Sequence, residues 1–146
     1  MHSFSAQIDY YLEMYRRGDI DNAFHGLLET DHEILPELMQ VYRRERDVDV
    51  REFLIKIIWE HRDPSIVRFL GEVLTENEPG VWREALNGLV SLASPDALQI
   101  LQSARTRVCS AKRESEEFHR WLEEAIEQAT STIENGILPS QRNDRK

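Results

Sequence analysis

Apolar residues recur at three- and four-residue intervals along most of the chain, and no stretch alternates apolar with polar positions for long. The pattern predicts helices and no sheet. Phe4, Ile8, Tyr11, Leu12 and Tyr15 form a first stripe, which Gly18 can end as a left-handed residue. Ile20, Ala23, Phe24, Leu27 and Leu28 form a second, and Thr30-Asp31-His32 offers capping side chains ahead of a third, Ile34, Leu35, Leu38, Val41 and Tyr42. Val50, Phe53, Leu54, Ile57 and Ile58 come next. Asp63-Pro64 then supplies an N-cap and a first-turn proline for Ile66, Val67, Leu70, Val73 and Leu74. Trp82, Ala85, Leu86, Leu89 and Val90 are followed by Ser94-Pro95 and by Ala97, Leu98, Leu101 and Ala104.

These stripes hold a register. Arg51-Glu52 and Arg83-Glu84 lie 32 positions apart and Pro64 and Pro95 lie 31 apart, so the third hairpin has one residue fewer in its turn. Ile34-Leu35 and Ile66-Val67 are again 32 apart, whereas Ala23-Phe24 and Phe53-Leu54 are 30 apart, which shortens the first turn. Three helical hairpins therefore repeat, none able to cover its own apolar face, and such a period marks a stacked solenoid. The expected fold is all-α: a short right-handed α-solenoid of about three stacked helical hairpins with N- and C-terminal capping helices. The first stripe serves as one cap. Phe118, Trp121, Leu122, Ala125, Ile126, Ala129 and Ile133 serve as the other, with Glu116, Glu117, Glu123, Glu124 and Glu127 on a solvated reverse face. Asn135-Gly136 can end that helix, giving a single domain over 1–136 and a flexible tail over 137–146. Residues 105–115 contain neither proline nor glycine and read equally as loop or helix.

The strings DVDVREFLIKII and NEPGVWREALNGLV, followed by RDPSIVRFLGEVL and SPDALQILQSA, resemble short HEAT-like repeats, most clearly over 47–107. The match weakens over 18–46, where no Val-Arg pair opens the first helix. Residues such as Gly71, Ala85 and Gly88 let helices approach closely, and each buried aliphatic side chain stabilises the stack by about 1.5–3 kcal/mol. Arg51 and Arg83 open helices, where the dipole disfavours a cation, so each is expected to pair with a carboxylate between repeats.

Charge narrows the functional classes. The chain carries 27 acidic and 18 basic side chains, a formal charge of −9. That excess repels a phosphate backbone and disfavours nucleic acid, and it favours encounter with a basic protein. A single cysteine, Cys109, allows no disulfide within the chain, and the N-terminal stretch has no continuous apolar run. A cytoplasmic protein without membrane association is expected.

No catalytic constellation stands out. The histidines form no HExxH, a lone cysteine excludes a thiolate zinc cluster, and neither a Gly-rich phosphate loop nor a nucleophile elbow is present. Asp31-His32-Glu33 and Glu60-His61-Arg62-Asp63 read as caps and solvated turns. The resemblance extends to enzymes that use the same repeat. Deoxyhypusine hydroxylases carry His-Glu ligand pairs at the start of repeat helices, but here Arg51-Glu52 and Arg83-Glu84 lack the histidine. DNA glycosylases of this type need a basic surface, and nothing in the chain selects the tetrapyrrole of the phycobilin lyases. No metal and no cofactor is expected.

A surface remains. In paired-helix solenoids the second helices line the concave side, which puts Pro36, Arg68 and Gln99 in one row, Gln40, Glu72 and Ser103 in the next, and Arg43, Thr75 and Thr106 in a third. Gln40, Arg43, Arg68, Glu72, Gln99 and Ser103 are the candidate partner-binding residues, and Trp59, Trp82 and Tyr10 are candidate aromatic anchors or core. The reading is a non-enzymatic protein-binding module, an inhibitor of the immunity type or an adaptor for a basic partner. The alternative is a lyase-like or small-ligand-binding protein using carboxylates such as Glu52 and Glu84 at a repeat interface. The oligomeric state is left open.

Overall fold

A computed structural model describes residues 3–106 and 112–145, with side chains over 3–106 and 116–135. The described residues form eight α-helices and no strand: α1 (Ser5–Arg16), α2 (Ile20–Leu28), α3 (Leu35–Arg44), α4 (Val48–Glu60), α5 (Val67–Val73), α6 (Pro79–Leu92), α7 (Pro95–Ser103) and α8 (Lys112–Arg145). One 3-10 turn, His32–Ile34, leads into α3, a second, Pro64–Ile66, leads into α5, and a third, Ala104–Thr106, follows α7. The contacts divide the chain into two compact units, Met1–Asp63 and Pro64–Lys146.

In the first unit α1 packs on α2, and both α2 and α3 pack on α4. Ile8 and Leu12 are the buried residues of α1, and Ala23, Leu27, Leu38, Leu54, Ile57 and Ile58 continue the core. Gly18 ends α1 as expected. Its φ of +94° is left-handed, and this lets the Asp19 N–H donate to the Met14 carbonyl and the Gly18 N–H to the Tyr15 carbonyl, both at 3.0 Å. Glu37 fastens the other end of α1, accepting from the Phe4 N–H at 2.9 and 3.0 Å. Helix α4 is buried over a wider arc than its stripe predicted, because Ile55 and Trp59 join Val50, Phe53, Leu54, Ile57 and Ile58. Ile20, assigned to the second stripe, is instead 48% exposed, for it is the first residue of α2 and has no preceding turn to fold it inward.

In the second unit α5 packs on α6 and α7, α6 on α7 and α8, and α7 on α8. Helix α8 covers the α6–α7 hairpin through Phe118, Leu122, Ala125, Ile126 and Ala129, all buried, with the Phe118 ring edge-on to Trp82 at 5.1 Å. The solvated reverse face is only partly so. Glu116, Glu123, Glu124 and Glu127 are exposed, Glu123 accepting from Arg105 Nε and Nη2 at 2.9 and 3.0 Å, but Glu117 is half-buried and forms an ion pair with Arg83. Helix α8 also runs through Asn135-Gly136 and does not stop there. A glycine costs a helix interior about 1 kcal/mol without breaking it. The tail expected over 137–146 falls on residues whose side chains lie outside the described set, as does residue 146 altogether. Of the segment 105–115, the 3-10 turn ends at Thr106, α8 begins at Lys112, and 107–111 lie outside the described residues.

The turn opening α7 follows its sequence signal. Ser94 Oγ accepts from the Ala97 N–H at 3.0 Å and Pro95 is the first helical residue. Two residues before Pro64 and two before Pro95 stands a left-handed non-glycine residue, Arg62 with φ 57° and Ala93 with φ 47°.

Candidate functional site

Helices α5 and α7 border a groove in the second unit. At one end Gly71, Leu74, Ile100 and Ala104 form an apolar recess of about 360 Å³, rimmed by Thr75, Ser103 and Thr106. At the other, a recess of about 380 Å³ is lined by Pro64, Val67, Asp96 and Gln99. Arg68 and Ile100 line both, so the two recesses run together. Gly71 sets the depth, since a Cβ there would lie 3.0 Å from Ile100 Cγ2.

All six candidate partner-binding residues are exposed. Arg68, Gln99 and Ser103 meet in the groove, joined by Thr75 and Thr106 from the third row. Glu72 lies on α5 but outside the groove lining. Gln40 and Arg43 are on α3 in the first unit, and neither lines the polar recess there, which Asp9, Arg16, Val41, Arg44 and Glu45 share with Ser5 and Leu12. Periodicity alone missed the apolar recess. Gly71, in the interior of a helical stripe where a glycine is costly, was its one signal.

Two of the three aromatic candidates are core: Trp82 is 1% exposed and Trp59 9%, while Tyr10 is 61% exposed. Arg83 sits within α6, not at its first residue, with its guanidinium 4.8 Å from the centre of the Trp121 ring and paired with Glu117. Its carboxylate partner therefore comes from the capping helix. Arg51 lies 4.5 Å over the Tyr42 ring. Neither Glu52 nor Glu84 lines the α5–α7 groove.

The two histidine-bearing turns of the first unit come together, which their distance along the chain concealed. His61, buried, has its Nε2 3.2 Å from the Leu27 carbonyl, and its Nδ1 lies 3.1 Å from Nδ1 of the exposed His32. A carbonyl only accepts, so Nε2 of His61 carries its hydrogen, and the neutral ring then offers Nδ1 as acceptor to the Nδ1–H of His32. Burial lowers the pKa of His61. The Leu27 contact opposes this, His32 adds to it, and Asp63 and Asp31 favour the cation. Among the described residues no group of three or more His, Cys, Asp or Glu side chains is placed to hold a metal ion, and no helix is long and apolar enough to cross a membrane.

Amphipathic helices in a repeating register, an Arg at the same place of that register in α4 and α6, and the proline-bearing turns that lead into α5 and α7 together define a repeat protein of the paired-helix kind. The HEAT-repeat model matches residues 35–115, more than half of the chain, and the chain belongs to the HEAT-repeat family. HEAT repeats generally serve as protein-interaction or scaffold modules and are generally not enzymes. No match to a curated protein or to a solved structure was found.

Proposed function

We propose that this chain is a non-catalytic binding module that receives a protein partner in the α5–α7 groove. The observation that carries the reading is the convergence of Arg68, Thr75, Gln99, Ser103 and Thr106, drawn from equivalent rows of two repeats, on one groove with an apolar recess. A few polar groups around an apolar hollow give both desolvation and orientation to a bound segment. The net charge of −9 raises the encounter rate with a basic partner, so the module acts as an inhibitor masking a basic protein or as an adaptor holding one.

Affinity capture from the native cell with the intact chain, run beside Ser103→Trp, tests this. Ser103 is exposed, so the indole fills the groove without entering the core. One stoichiometric basic partner, held by the wild type and weakened at least tenfold by Ser103→Trp, is the expected result. A partner held equally by both proteins removes the groove from the account, and an acidic one removes the charge argument.

A further inference from the structure

The groove is polarised along its length. At its apolar end the Thr75 and Thr106 hydroxyls donate to the carbonyls of Glu72 at 2.7 Å and Ser103 at 3.1 Å, each three residues back in its own chain segment. Neither hydroxyl hydrogen is therefore open to a ligand, and Gly71 and Ile100 beside them present only hydrocarbon. At the polar end Arg68 is exposed and makes no hydrogen bond or ion pair among the described residues, which leaves its guanidinium donors open. A carboxylate is the group whose geometry matches that fork. Arg68 and Gly71 lie three residues apart on α5, about one helical turn.

We infer that the groove takes a peptide segment of the partner bearing an aliphatic side chain and, about one helical turn away, an aspartate or glutamate. The aliphatic group lies over Gly71 against Ile100, and the carboxylate meets Arg68. This rests on the groove being the partner site. The net negative charge of the chain works against an acidic run, so the groove selects one carboxylate placed beside Arg68, which a partner of basic overall charge can also carry.

A displayed library of random 12-residue peptides, panned on the full chain, tests the inference. Recovered peptides are then titrated by fluorescence anisotropy against the wild type, Arg68→Gln, Arg68→Lys and Ser103→Trp, with Thr75→Trp as a second groove block and circular dichroism to establish that each variant folds. The expected result is a recurring aliphatic residue three or four positions from Asp or Glu, binding that weakens at least tenfold in Arg68→Gln and in both tryptophan variants, and partial recovery in Arg68→Lys. Peptides that need the open groove but carry no acidic residue, or that bind Arg68→Gln as tightly as the wild type, overturn the inference and leave the binding site standing. Recovery of no peptide that the tryptophan variants weaken overturns both.

Discussion

Among the described residues His61 is a buried side chain that titrates near neutral pH, and its environment makes a pH prediction with a definite sign. Burial lowers its pKa below the ordinary 6.5, so below that value the unfolded chain binds a proton that the folded chain resists. Stability is therefore expected to be level above about pH 7.5 and to fall as the pH drops through the unfolded value of 6.5, until the folded pKa is passed. The slope from this one group is at most about 1.4 kcal/mol per pH unit. A proton taken up at His61 Nδ1 sets two N–H groups against each other across the contact with His32. Urea unfolding at pH 7.5 and 5.5 should show a loss for the wild type that is clearly smaller in His61→Gln. Equal losses in the two proteins contradict the assignment. The sequence showed each histidine in a turn rich in carboxylates but not that the turns touch, because the contact joins residues 29 positions apart and neither periodicity nor local caps encode it.

At the scale of elements, the signals that were legible are those written in a few adjacent residues. Ser94-Pro95 caps and opens α7, and Gly18 closes α1, as the side-chain chemistry requires. The shorter third turn is also visible: a 3-10 turn precedes α3 and α5, whereas α7 starts directly at its proline. The left-handed conformation of Ala93 was not legible, since alanine gives no local cue for it; the connection from α6 to the Ser94 cap imposes it. Removing the cap hydroxyl with Ser94→Ala is expected to cost about 1 kcal/mol. Ala93→Gly should relieve a strain of about 1–2 kcal/mol, offset by about 0.5–1 kcal/mol of added chain entropy, and so stabilise slightly. Chemical denaturation of the two variants checks both signs, and a destabilised Ala93→Gly contradicts the strain argument. The passage of α8 through Asn135-Gly136 shows the converse, a stop signal overruled when a long helix continues on both sides of it.

For the whole molecule, periodicity was enough to read an all-α repeat protein of the HEAT-repeat family, because a 3.6-residue apolar pattern repeated near 32 residues admits few other packings. It was also enough to find the exposed rows of the second helices. It did not show that Arg68, Gln99 and Ser103 share a groove while Glu72, in the same rows, stays outside it, nor that Leu74, Ile100 and Ala104 supply an apolar recess. Those features depend on how far apart α5 and α7 lie, which a stripe of apolar residues does not record. The central claim is that the partner lies in this groove. Hydrogen–deuterium exchange of the full chain, with and without the partner obtained by capture, tests it most directly. Added protection over 67–75 and 95–106 is the result expected; protection confined to α1 or α8, with both of those segments unchanged, would contradict it.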